Sequence, residues 1–198
     1  MIENVSVLWD VCQQMTNNLK ANAKKLGDIS QAELDAISSQ PGIYAAFYQG
    51  RQLGLGLGKT GDLEIVFMGE NHRFNRDMVE CNTGNSGIRR SLAAMLSMLL
   101  ELKAKPGSDD AADLDRFDNY ALIKVSEEKL SVWMKENLYI GHVAVPDEDV
   151  EKYIQAMVDC NAPVFNLRNN KGNQFGSEVK HYRKILTEQA RLYEAENA

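Results

Sequence analysis

Hydrophobic positions near the N-terminus recur at intervals of three and four residues. Between residues 4 and 22 this stripe places side chains on one face of an α-helix: Val5, Leu8, Trp9, Cys12, Met15 and Leu19. Ser30 and Glu33 fit a capping box for a second, short helix, which Pro41 and Gly42 end. We therefore predict a helical extension over residues 1–39, with an apolar face that packs on the domain or on a second copy of it.

A strand-like pattern follows. The runs GIYAAFY (42–48) and RQLGLGL (51–57) flank Gln49-Gly50 and predict an antiparallel hairpin, with Gly54 and Gly56 inside its second strand. Residues 62–85 show no clear period. The hairpin argues against a phosphate-binding loop at Gly58-Lys59-Thr60, because that loop also needs a glycine where the chain has Leu53, and a helix directly after it.

The second half of the chain mixes helices with short strands. Ser86 and Ser177 are placed to cap helices, and the helix after Ser86 carries an apolar stripe that includes Leu99. The pattern predicts two strands beside the hairpin, at residues 119–126 and 139–145. It predicts two helices, at residues 126–138 and 147–160. We predict an α+β fold: a small, mostly antiparallel sheet flanked by helices over residues 40–198, with helical extensions at both termini.

Charge and cysteine content narrow the function. The net charge is −6, whereas dedicated nucleic-acid binders are usually basic, so any DNA contact must come from a local patch. Arg73, Arg76, Arg89 and Arg90 cluster in sequence and form the candidate patch. Three widely spaced cysteines without CxxC spacing predict a reducing, cytoplasmic setting and no zinc site. No apolar run approaches a membrane span, so we expect no membrane partner.

Five short motifs in order resemble the GIY-YIG nuclease superfamily. Gly42-Ile43-Tyr44 is similar to its first motif, and Gly56-Leu57-Gly58-Lys59-Thr60 to its second. The remaining three are similar to its later helices and its closing Pro-x-x-Asn: SGIRRSLAAML (86–96), LSVWMKENL (130–138), and Val150-Glu151 followed by PVFN (163–166). The resemblance implies two motifs on neighbouring strands and metal-dependent hydrolysis of a DNA phosphodiester.

The resemblance also assigns candidate roles. Tyr44 would activate water or relay a proton, His72 matches a family histidine, and Asn166 matches the closing asparagine. The family arginine, which stabilises phosphoryl charge, is expected about ten residues after the second-motif tyrosine. Arg73 and Arg76 are its candidates from a shifted register. Further candidates are Glu151 as the ligand of Mg²⁺ or Mn²⁺, and Lys59, Arg89 and Arg90 as substrate contacts.

Departures from the family pattern predict a degenerate active site. Gly56 stands where the second tyrosine is expected, and no arginine lies in register. Glu151 lies about one helical turn too far from Asn166, and strict spacing gives its place to Ile154 or Gln155. Two interpretations stay open: an endonuclease with a rearranged site, and a DNA- or protein-binding regulatory module that lost the chemistry. The N-terminal helix is the candidate surface for a protein partner or a homo-oligomer.

Overall fold

The computed structural model describes residues 2–57 and 61–197, with side chains of the first helix from Trp9 onward. The elements are α1 (Ile2–Ala21), β1 (Lys24–Lys25), α2 (Gln31–Ser39), β2 (Gly42–Tyr48), β3 (Glu64–Glu70), α3 (Gly87–Leu96), β4 (Ala104–Lys105), β5 (Ala121–Leu122), α4 (Lys124–Asn137), β6 (Leu138–Ala144), α5 (Asp147–Asn161) and α6 (Gly176–Asn197). Short 3₁₀ and π turns join β3 to α3 across residues 71–85.

The main sheet is antiparallel and confirms the predicted α+β class. Among the described residues its strands run in the order β1-β6-β2-β3. Side chains alternate along β2, so Tyr44 and Tyr48 point to one face and Ala45 and Phe47 to the other. Helices α3, α4 and α6 pack on the Tyr44 face, while α1 and α5 pack on the Phe47 face. The sheet is thus covered on both sides.

The predicted hairpin is wrong in its second strand. Strand β2 pairs with β3, so that Tyr44 lies opposite Gly69. Residues 51–57 instead form turns with positive φ at Gly54 (66°), Leu55 (54°) and Gly56 (70°), which a strand does not contain. Leu53 and Leu57 anchor these turns in the core. The alternation of leucine and glycine therefore reflects turn geometry with buried anchors, and Gly54 and Gly56 lie in no strand.

Helix α1 packs on the domain itself, as one of the two alternatives proposed. Cys12 and Leu19 are fully buried against β6 and α5. Gly141 permits this approach, because a Cβ at that position would overlap the Leu19 carbonyl. Trp9 is 50% exposed, so it is not packed fully on the domain, and its contact with a second copy stays a prediction. Val5 and Leu8 lie outside the described side chains.

The sequence predicted two helix-capping residues correctly, but it was less reliable for the lengths of helices and strands. The Ser30–Glu33 capping box and the Ser86 cap are confirmed. Helix α3 is shorter than predicted, and Leu99 beyond its end is 54% exposed. The strand expected at 119–126 shrinks to β5, which pairs with β4 in a separate two-stranded ladder. Helix α6 begins at Gly176, so Ser177 lies inside it and is not its cap.

None of the described helices is both long enough and apolar enough to cross a membrane.

Candidate functional site

The neighbouring strand places Phe67-Met68-Gly69 beside Tyr44. The Tyr44 and Phe67 ring centroids are 6.1 Å apart, on the same face of the sheet. The resemblance requires its two motifs on neighbouring strands, and β3 is the neighbour of β2. We therefore correct the second motif from Gly56-Leu57-Gly58 to Phe67-Met68-Gly69. The aromatic position is occupied by phenylalanine, which keeps the ring and lacks the hydroxyl.

Tyr44, the tyrosine of the first motif, is 0% exposed. Its ring rests against the backbone of β3, because Gly69 has no side chain: a Cβ there would lie 2.6 Å from the Tyr44 ring and hydroxyl. Phe74 packs edge-on at 5.1 Å. The hydroxyl donates a hydrogen bond to Asp77 Oδ2 at 2.9 Å. Burial, with the adjacent Asp77 carboxylate, raises the pKa of Tyr44 well above its usual value. The phenol is therefore held as a neutral donor.

Asp77 is the site residue that sequence reasoning missed. It is 2% exposed and accepts the Tyr44 hydrogen bond, while the Arg76 guanidinium approaches its Oδ1 at 3.3 Å. It lies ten residues after Phe67, at the position where the family arginine is expected. Counting from Phe67 instead of Gly56 would have found it. Arg76, one residue earlier, supplies a positive charge at the edge of this position.

A cavity of about 660 Å³ opens beside β3. Among the described residues its lining includes five arginines and four acidic residues: Arg73, Arg76, Arg90, Arg168 and Arg183, with Glu70, Asp77, Asp115 and Asp118. Arg73 pairs with Glu70 at 3.5 Å, and Arg76 pairs with Asp77. Within the described part of the chain, no ion pair to a carboxylate is formed by Arg90, Arg168 or Arg183. We call this the arginine cavity.

Arg90 is the most confined of these unpaired cations. Its Nη1 donates to the Gly84 carbonyl, and its Nε is buried without a partner among the described residues. Burial, reinforced by the like charge of Arg183, lowers the pKa of Arg90 to about 10, although the nearby Tyr120 opposes the shift. The group remains protonated at neutral pH. The cavity thus holds positive charge that the described carboxylates do not fully compensate, which favours an anionic ligand.

Asn166 also lines the arginine cavity and is tied to the sheet. Its side-chain amide donates to the Met68 carbonyl at 2.9 Å and accepts from the Met68 N–H at 2.8 Å. The Phe165 N–H donates to the Val66 carbonyl at 2.8 Å. The PVFN segment thereby hydrogen-bonds to β3 in the manner of an added strand. The Asn166 side-chain amide is occupied by the Met68 backbone, so Asn166 anchors the PVFN segment to β3 in this structure.

Among the described residues, three further candidates lie away from the arginine cavity: Arg89, His72 and Glu151. Arg89 is 0% exposed and binds Glu127 and Ser131 at 2.9 Å each, so the substrate contact expected of it is corrected to a buried structural ion pair. His72 is exposed, 3.1 Å from Glu70, and lines a second cleft of about 380 Å³ together with Glu151. Lys59 lies outside the described residues.

The arginine cavity does not fit the divalent ion that the resemblance implies. Helix α5 presents Ile154 to the cavity, while Glu151, one turn earlier, lines the other cleft. The Asp77 carboxylate is already hydrogen-bonded to Tyr44 and Arg76. Among residues 2–57 and 61–197 no three His, Cys, Asp or Glu side chains converge in a way that suits a metal ion. Magnesium-like ions prefer carboxylate oxygen and water, and Ile154, the residue that α5 presents to the cavity, supplies no ligand.

Comparison with protein families matches residues 57–185 to the GIY-YIG catalytic domain. Neither the curated proteins nor the solved structures compared with the chain include a match. The matched segment contains β3, the Tyr44-facing turns that follow it, and the arginine cavity through Arg183. It covers more than half of the 198 residues. The chain therefore belongs to the GIY-YIG nuclease superfamily, as its motifs and its antiparallel sheet indicated.

Proposed function

We propose that this protein binds DNA phosphates in the arginine cavity and hydrolyses phosphodiesters weakly or not at all. The observation that carries the proposal is a group of three arginines in a cavity beside Tyr44 and Asp77: Arg90, Arg168 and Arg183 have no carboxylate partner among the described residues. Membership of a nuclease-type superfamily supports a nucleic-acid ligand. Three unpaired cysteines support a reducing, cytoplasmic location.

Guanidinium chemistry supports the binding half of the proposal. Arginine presents planar, paired N–H donors that match phosphate oxygens, and charge-assisted hydrogen bonds are roughly twice as strong as neutral ones. Arg168 is exposed, whereas Arg183 and Arg90 are half-buried. Partial burial reduces screening by salt, so the deeper arginines hold an anion more firmly than surface charges do.

Three changes support the weak-hydrolysis half. Phe67 lacks the phenol of the second motif, Asp77 places a carboxylate at the arginine position, and Ile154 faces the cavity where a metal-binding carboxylate is expected. A single transition-state donor is typically worth about 10²–10³ in rate. Because such groups act as a unit, the three losses do not simply multiply. We nevertheless expect a deficit of several orders of magnitude relative to an intact site.

A salt titration of DNA binding tests the cavity assignment. The probe is a short duplex with 5′ phosphates and an internal fluorophore, and fluorescence anisotropy gives Kd at several salt concentrations. We expect Arg168→Gln and Arg183→Gln each to weaken binding about 10-fold, and to reduce the slope of log K against log salt by about 1. Arg168→Gln guards against misfolding as the explanation, because its side chain is exposed.

Arg51→Gln is the matched control, since it removes the same charge from an exposed residue outside the cavity. It should bind as the wild type does. If the wild type does not bind, or if both cavity variants bind as tightly as Arg51→Gln, the arginine cavity is not the DNA site.

A further inference from the structure

One wall of the arginine cavity is acidic. The loop at residues 107–118 carries aspartates at positions 109, 110, 113, 115 and 118, and Asp115 and Asp118 line the cavity together with its cations. Duplex DNA carries one negative charge per about 1.7 Å of helix axis. A continuous backbone crossing this cavity would bring phosphates close to the aspartates. The acidic wall therefore selects against an extended polyanion and favours an anion with a small footprint.

The cations of the cavity suit more than one negative charge. Arg90, Arg168 and Arg183 have no carboxylate partner among the described residues, and the buried Nε of Arg90 is still without an acceptor. An internal phosphodiester brings one charge, whereas a phosphomonoester brings about −1.5 to −2 at neutral pH and three acceptor oxygens. The Tyr120 hydroxyl, which donates to the Arg90 main-chain carbonyl at 2.5 Å, fixes the backbone that carries Arg90.

The remaining walls suit a nucleoside. The volume of about 660 Å³ lies in the range of small-molecule sites, and Phe67 and Ile154 add apolar surface. The carboxylates of Asp115 and Asp118 and the side chain of Asn119 offer acceptors to sugar hydroxyls and base amino groups. We infer that the arginine cavity recognises a terminal nucleotide bearing a phosphomonoester, at the end of a nucleic-acid strand, in preference to an internal phosphodiester. This inference rests on the proposed DNA-binding function.

The test compares strand ends on one sequence. Internally labelled single strands are prepared with a 5′ phosphate, with a 3′ phosphate, with hydroxyls at both ends, and as a covalently closed circle. We expect one of the phosphorylated strands to bind at least about 10-fold more tightly than the hydroxyl-ended strand and the circle, the effect of one charge-assisted contact or more. Arg168→Gln and Arg183→Gln should remove this preference, and Arg51→Gln should keep it.

Two further measurements sharpen the result. Asp115→Asn should strengthen binding of the circle and so reduce the preference for phosphorylated ends, because it removes one charge of the acidic wall. A phosphomonoester can belong to the end of a strand or to a free nucleotide. Competition with deoxyadenosine monophosphate distinguishes these two ligands. If the nucleotide does not displace the bound strand, the result supports a nucleic-acid end as the ligand. If the nucleotide displaces the strand at an equal concentration, the result supports recognition of a phosphomonoester that belongs to a free nucleotide.

Equal Kd values for all four strands would overturn the inference and leave the proposed DNA binding intact. Failure of every strand to bind would overturn both.

Discussion

The Tyr44 hydroxyl and the Asp77 carboxylate meet inside the fold, where solvent does not reach either group. A buried acceptor that loses its donor loses hydrogen-bond energy that water cannot replace. Gly69 maintains the contact by leaving room for the Tyr44 ring. The pair therefore contributes to stability as well as shaping the floor of the site, and its two contributions can be separated by experiment.

Replacing Tyr44 by phenylalanine should lower the free energy of unfolding by about 1–3 kcal/mol at neutral pH, because Asp77 loses a donor. The effect should depend on pH. Burial raises the pKa of Tyr44, so its contribution is fully present below the unfolded pKa of about 10 and is lost as pH rises beyond it. Urea denaturation at pH 7 and above pH 10 should show the wild type losing more stability than Tyr44→Phe.

Tyr193→Phe, on α6, is the control and should follow the wild type at both pH values. Equal pH dependence in wild type and Tyr44→Phe would mean that the Tyr44 hydroxyl is not buried as the structure has it.

Single residues of the site were predictable where a motif fixed them. Tyr44 follows from Gly42-Ile43-Tyr44, and Asn166 from PVFN. Asp77 was missed because it depends on register: the second motif was placed at Gly56, and the error moved every position counted from it. The separation of Ile154 and Glu151 into different clefts depends on how α5 is rotated against the sheet, which spacing along the chain suggests but does not determine.

At the scale of elements, β3 shows why hydrophobic pattern alone misplaced the hairpin. Its side chains contact helices or loops on both faces of the sheet. The segment LEIVFMGE therefore lacks the alternation of polar and apolar residues that marks a strand with one solvent-exposed face. The neighbouring RQLGLGL alternates, yet its glycines adopt positive φ and form turns. Helices with a solvent-exposed face, such as α4 and α5, were predicted correctly because their polar and apolar residues lie on different faces.

The contact between α3 and α4 contains a buried ion pair with a predictable role. Arg89 Nη2 lies 2.9 Å from Glu127 Oε2, and Glu127 also accepts hydrogen bonds from the Thr83 N–H and hydroxyl. Arg89→Met should lower the free energy of unfolding by about 3–5 kcal/mol, because it leaves the Glu127 carboxylate buried without its cation. Chemical denaturation measures this loss.

The double variant Arg89→Met/Glu127→Gln is the companion, since glutamine keeps an acceptor for Thr83 and carries no charge. It should recover part of the stability. A loss below about 1 kcal/mol for Arg89→Met would contradict the buried pair, and it would return Arg89 to the candidates for substrate contact.

On the scale of the whole molecule, the N-terminal segment and the charge distribution matter most. Helix α1 covers Ala45, Phe47 and Met68 on one face of the sheet. The boundary between an extension at 1–39 and a domain at 40–198 stays a prediction. The chain is acidic overall, with a net charge of −6, yet three arginines that have no carboxylate partner in the described part of the chain converge in one cavity. Composition argued against a general nucleic-acid surface, and it could not locate this site because Arg90, Arg168 and Arg183 are distant in sequence.

The most direct test of the central claim is a plasmid-nicking time course with Mg²⁺ or Mn²⁺, at protein concentrations that saturate DNA binding. Wild type, Tyr44→Phe and Glu151→Ala are assayed side by side. The account predicts binding without metal-dependent nicking above the buffer control in all three, because Phe67, Asp77 and Ile154 replace groups that hydrolysis requires. Robust nicking by the wild type, abolished by both substitutions, would contradict it and establish an active endonuclease that uses Tyr44 and Glu151.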